Sequence, residues 1–160
     1  MVAERFGPEP PLARLLLLAS RWFDSRSLDQ LERSGWPRLS PSQSLVFAYL
    51  EDGGIAQAEL ARRVGHSRQA THELVHGLCR IGLLELCPDP RRKGGRLVCL
   101  TDAGRRFALD AYKVLMQLEE GLGARRVAAL RQFLAPFDEP KEPAPSRAED
   151  GGRASGPFRS

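Results

Sequence analysis

Arg68, Gln69 and His72 stand together in the run SRQATH and carry the groups that read base edges. An arginine fork matches a guanine edge in the major groove, and a glutamine amide matches an adenine edge. Further along, Arg91, Arg92, Lys93 and Arg96 crowd into PDPRRKGGR. That stretch combines turn formers with four positive charges, which suits phosphate oxygens or a narrow minor groove. The plainer readings are a solvated helix face and a solvated basic turn.

The elements that would position these residues are legible in the surrounding pattern. Leu60, Ala61 and Val64 recur at helical spacing, and Gly65 is the residue type that a sharp interhelical turn tolerates. Ser67 can cap a second helix, running from about residue 68 to 81, by accepting a free amide in its first turn. Gly82 then closes it as a left-handed C-cap. At about 100° per residue, with Leu74 at zero, Thr71, Val75, Leu78 and Ile81 fall between roughly −20° and 100°. Arg68, Gln69, His72 and His76 fall on the other side, between roughly 120° and 220°. The expected base-contacting positions are Ser67, Arg68, Gln69, Thr71 and His72. Leu84 to Cys87 and Arg96 to Leu100 are short apolar runs that read as strands flanking the basic turn, a wing.

Charge follows the same map. Residues 57–106 hold ten Arg or Lys against five Asp or Glu, whereas the rest of the chain holds 14 against 15. The formal net charge of +4 therefore comes from this one segment, an electrostatic footprint for a polyanion.

The motifs, in their order and spacing, resemble the MarR family of winged-helix regulators over roughly residues 12–137. LSPSQSLVFAYL resembles the family's entry into its second helix, AELARRVGHSRQATHELVHGL its positioning and recognition helices, and LTDAGR its entry into the long helix after the wing. Ser40, Pro41, Ser42 and Gln43 also form a capping box with proline at the first helical position, and Thr101 can cap the helix after the wing. Two positions depart from the family pattern. Arg92 and Gly94 stand where it usually has a wing-stabilising aspartate and a tip arginine, and Glu73 stands where a basic or neutral residue is commoner.

The expected fold class is mainly α with a small β-hairpin wing, a winged helix-turn-helix at about residues 39–101. It is flanked by dimerisation helices at about 11–34 and 102–137, all within a single domain over 11–137. Leu15, Leu16 and Leu18, with Val127, Leu130, Phe133, Leu134 and Phe137, are more apolar surface than a small winged helix can cover. A two-fold dimer would bury them and set two recognition helices in successive major grooves. The resemblance implies the same dimer, a double-stranded DNA operator as partner, and a pocket for an aromatic or lipophilic effector. Trp22, Trp36, Phe47 and Tyr49 are the candidate pocket lining. Residues 1–10 are expected to be flexible. Residues 138–160, rich in Pro, Gly, Ala and Ser, are expected to be disordered because they offer little apolar surface to offset ordering entropy.

Several function classes are disfavoured. There is no phosphate-binding glycine loop, nucleophile elbow or metalloprotease helix, so no catalysis and no cofactor are expected. His72, His76 and Cys79 share a helix face but lack a fourth ligand, so no metal is expected. LARLLLLAS is too short to span a membrane and follows the acidic Glu4 and Glu9, unlike a signal peptide, so a cytoplasmic protein is expected. Cys79, Cys87 and Cys99 fit a reduced compartment, and Cys87 and Cys99 lie on the two wing strands, where they could approach each other. The competing class is a winged helix that packs on a protein partner. That would require apolar anchors where Arg68, Gln69 and His72 stand.

Overall fold

The computed structural model describes residues 9–137. The expectations for most of residues 1–10 and for the tail 138–160 lie outside the described residues. The chain groups into two units that meet between Ala124 and Arg125. That boundary falls inside the 102–137 stretch expected to serve dimerisation.

In the first unit, α1 (Leu12–Arg33) is long, and only Ser27 and Leu31 on it are buried. A short helix α2 (Pro41–Phe47) starts at the expected capping box. Ser40 Oγ accepts from the Gln43 amide at 3.2 Å, and Gln43 Oε1 accepts from the Ser40 amide at 2.9 Å. The helix-turn-helix follows as α3 (Gln57–Val64) and α4 (Arg68–Arg80). Gly65 between them takes φ +75, a left-handed conformation that a side chain disfavours, so a single residue turns the chain. Ser67 Oγ accepts from the Ala70 amide at 3.1 Å, the expected cap, and Gly82 at the far end has φ +76.

The sheet has one strand more than the expected hairpin. Besides β2 (Leu84–Pro88) and β3 (Arg96–Leu100), the short β1 (Ile55–Ala56) pairs antiparallel with β3, giving the order β1-β3-β2. Two residues are too few to show alternation, so β1 was not visible as a strand in the sequence. The β2–β3 register runs from Leu84 opposite Leu100 to Pro88 opposite Arg96. Leu84 and Val98 therefore turn inward while Glu85, Cys87 and Cys99 share the other face.

The core gathers Val46, Leu60, Val75, Leu78, Leu83, Leu84, Val98 and Phe107, all fully or almost fully buried. Truncating one of these leucines would cost about 2–5 kcal/mol, enough to threaten a small domain. Ile81 departs from its expected place on the apolar stripe and is 42% exposed. It is the C-cap residue, where the chain leaves the helix, and Leu83 and Leu84 take over the core. After the wing, α5 (Asp102–Glu120) packs against α1, with Gln30 Nε2 donating to Gln117 Oε1 at 3.1 Å. In the second unit, α6 (Ala124–Leu134) and a 3₁₀ turn (Ala135–Phe137) leave Leu130, Phe133 and Phe137 exposed. Among the described residues, no helix is long and apolar enough to cross a membrane.

Candidate nucleic-acid interface

Helix α4 is built so that its inner face holds it and its outer face is left to act. Thr71, Val75, Gly77 and Leu78 are buried, and Arg68, Gln69, His72, Glu73 and His76 are exposed. Arg68, Gln69 and His72 line one open groove of about 370 Å³ together with Gln57 and Ala58 from the start of α3. Three of the expected reading residues are thus assembled on one surface. Gln57 and Ala58 were not anticipated, because only the turn at Gly65 brings the start of α3 beside the start of α4.

Two expected members of the set have other positions. Ser67 is exposed, but its oxygen is engaged in capping; its hydroxyl proton remains available to donate. Thr71 is a correction. It is fully buried, and its hydroxyl donates to the Ser67 carbonyl at 3.0 Å, so it supports the helix start and cannot reach a base edge.

On the outer face, Gln69 Nε2 donates to Glu73 Oε1 at 3.0 Å, and the His72 and His76 rings lie 4.1 Å apart between centroids. Cys79, the third member of the sequence trio, is partly buried, and burial together with the nearby Glu85 carboxylate pushes its thiol pKa up. Among the described residues, no group of three His, Cys, Asp or Glu side chains is arranged to hold a metal ion.

The wing keeps its cations available. Arg91, Arg92, Lys93 and Arg96 are all exposed, and none forms an ion pair among the described residues. Other cations of the basic segment are engaged: Arg62 and Arg63 grip Glu59, Arg63 also reaches Glu51 at 2.6 Å, and Arg105 holds Asp102 at 2.8 Å. The hydrogen bonds from Arg62 and Arg63 lower the Glu59 carboxyl to about 2. Pairing thus removes much of the positive charge near α3 and leaves it concentrated at Arg68 and the wing.

The wing tip has a carboxylate of its own, from a position outside the family pattern. Asp89 Oδ1 accepts from the Arg91 amide at 2.8 Å, while the Asp89 amide donates to the Gly95 carbonyl at 2.9 Å. A carboxylate therefore organises this longer turn from a position three residues before Arg92. The signal was the Asp89-Pro90 dipeptide, since aspartate commonly bonds the backbone two residues on.

The four aromatics expected to line an effector pocket are not assembled into one. Trp36 and Phe47 both pack on Phe107, at 5.4 and 4.8 Å between ring centroids, and Trp36 Nε1 donates to Asp110 Oδ2 at 3.1 Å. Tyr49 is partly buried against the same core, whereas Trp22 is 40% exposed on α1, edge-on to Phe23. Burial of aromatic surface is favourable, and three of the four, Trp36, Phe47 and Tyr49, are partly buried against the core. A separate cleft of about 570 Å³ opens between α1 and α2, and Arg21, Asp24, Leu28, Arg38, Leu39 and Gln43 are among its walls.

A short helix, a glycine turn, a capped second helix and a strand-flanked basic loop define a winged helix-turn-helix. The MarR family model matches residues 39–93 of this chain. The chain is 32% identical over 102 residues to Repressor protein C of Rhizobium phage 16-3, covering 61% of this chain and 33% of that protein. The chain thus spans about a third of the length of this curated relative.

Solved structures share the fold. Apo MarR from E. coli matches with TM-score 0.64 and 23% identity, over 82% of this chain and 99% of that one. RV1404 from Mycobacterium tuberculosis matches with TM-score 0.65 and 23% identity, over 82% and 95%. MepR from Staphylococcus aureus, a transcription regulator of the multidrug efflux pump MepA, matches with TM-score 0.59 and 16% identity, over 80% and 96%.

Proposed function

We propose that this protein is a homodimeric, cytoplasmic transcriptional regulator that binds double-stranded DNA at a pseudo-palindromic operator and acts as a repressor. The observation that carries this reading is the groove in which Arg68, Gln69 and His72 stand exposed side by side, on a helix whose opposite face is locked in the core. Helices of this kind enter the major groove by their N-terminal residues. The exposed wing cations, unpaired within the described residues, would hold the flanking phosphates, which position the protein without reading sequence. Repression is supported by two similar proteins that are themselves named repressors, the phage Repressor protein C and the Multiple Antibiotic Resistance Repressor, MarR.

Dimerisation is supported by apolar side chains that nothing described covers. Leu12, Leu15, Leu17 and Leu18 on α1 are each about half exposed, as are Leu130 and Phe133 on α6, and Phe137 is 75% exposed. Clustered apolar surface of this kind on a helix marks an interface. Release by a small effector is also part of the proposal. The cleft between α1 and α2 is its place, because a ligand there would bear on the helix that leads into the winged helix-turn-helix. Asp24 in its wall has a raised pKa, because burial disfavours its charge more than Arg21 favours it. Such a ligand must bind the DNA-competent and released states unequally.

The test is fluorescence-anisotropy titration against the chain's own upstream DNA and a scrambled duplex at two salt concentrations. Tighter binding to the upstream duplex with a steep salt dependence is expected. Equally weak binding to both would favour the alternative, a winged helix that engages a protein partner.

A further inference from the structure

Glu73 is the unusual residue of the outer face. It lies one helical turn beyond Gln69, is exposed, and forms no ion pair among the described residues; its partner is the Gln69 side-chain amide, at 3.0 Å. A carboxylate can only accept, so this bond settles which way the Gln69 amide points: the nitrogen faces Glu73 and the oxygen faces away. A free glutamine offers one donor and one acceptor side by side, the arrangement that matches adenine bidentately. Held by Glu73, Gln69 has one N–H committed, and together the two side chains present mostly acceptor oxygens.

We propose that Glu73 is a specificity-determining residue that converts Gln69 into part of an acceptor surface, selecting an amino-bearing base, adenine or cytosine, on the strand it faces. This rests on the DNA-reading function proposed above. In the major groove the only base donors are the adenine N6 and cytosine N4 amino groups, while guanine and thymine present acceptors and, for thymine, a methyl. Acceptors facing acceptors repel and leave a desolvated group without a partner, so guanine and thymine are rejected at this step. Arg68, one residue before Gln69 and on the same groove, offers only donors and so favours guanine. Adjacent positions of the helix would then read opposite hydrogen-bond patterns. A structural role for Glu73 is small by comparison, since an exposed side-chain pair one turn apart contributes little to a helix.

The experiment selects binding sites from a randomised duplex pool with the wild-type protein, Glu73→Gln and Gln69→Ala, and compares the enriched sequences. Thermal midpoints should coincide, because both side chains are exposed. Wild-type sites should carry A or C at one fixed position of each half-site. In Glu73→Gln the amide of residue 69 is free to turn, so guanine should be admitted there, with discrimination reduced about tenfold. Gln69→Ala should relax the same position. An enriched wild-type pool with an unchanged pattern in Glu73→Gln overturns the role of Glu73 and leaves DNA reading intact. A wild-type pool with no enrichment overturns DNA reading itself, and this proposal with it.

Discussion

The Thr101 hydroxyl donates to the Gly82 carbonyl at 2.6 Å while its oxygen accepts from the Gly104 amide at 2.9 Å. A single side chain thus ties the turn that ends α4 to the first turn of α5. The Thr101 amide also donates to the Leu83 carbonyl at 3.2 Å, so the wing is closed at its base from both sides.

Replacing Thr101 with valine should destabilise the protein by about 1–2 kcal/mol, the sum of a lost cap and an unmade bond. Thr101→Ser should retain most of the stability. Gly104→Ala should cost about 2–3 kcal/mol, since a β-carbon there runs into the Leu83 carbonyl, which as backbone cannot give way. Urea unfolding reads both as midpoint shifts at constant slope.

Arg68 and Arg92 should separate base reading from backbone contact. Arg68→Ala is expected to cost about 1–3 kcal/mol on the operator and to relax its sequence preference. Arg92→Ala should weaken binding to all duplexes alike and reduce the salt slope by about 1. Equal losses on operator and random DNA for Arg68→Ala would sink its assignment as a base reader.

Acid should loosen α3. The Glu59 carboxyl is lowered from 4.5 to about 2 by hydrogen bonds from Arg62 and Arg63. A lowered folded-state pKa gives stability that is present above 4.5 and lost as pH falls toward 2. Glu59→Gln should flatten stability over that window relative to wild type, measured by urea titrations at stepped pH. The effect should be small because the cluster is exposed and screened by salt.

The wing thiols should be sluggish. Cys87 and Cys99 sit diagonally on one face of the β2–β3 ladder, and a hydrogen bond with Cys99 raises the Cys87 thiol to about 11. Little thiolate is then present near neutral pH, so Cys87 should alkylate slowly with iodoacetamide. Cys99→Ala removes the partner and should speed alkylation of Cys87, followed by peptide mass spectrometry from neutral to alkaline pH. An unchanged rate would mean the two thiols do not share a proton.

What the sequence determined by itself was local. The capping box at Ser40 and Gln43, the cap at Ser67, the turns at Gly65 and Gly82 and the cap at Thr101 each depend on a few neighbouring residues, so their chemistry is written where they occur. The same holds for the outward set Arg68, Gln69 and His72, which follows from helical periodicity once those boundaries are known. Tertiary structure decided whatever depends on a partner distant in the chain. Thr71 went inward because the core beneath α4 takes it, and Trp36 and Phe47 became packing residues because Phe107 lies between them. The two-residue β1 exists only because β3 is there to pair with it, and the start of α3 became one wall of the groove beside Arg68 and Gln69 only when the turn at Gly65 folded it beside α4. Hydrogen-bond caps act over one turn of chain, whereas burial is settled by everything that arrives to cover a side chain, and no short window of sequence contains that.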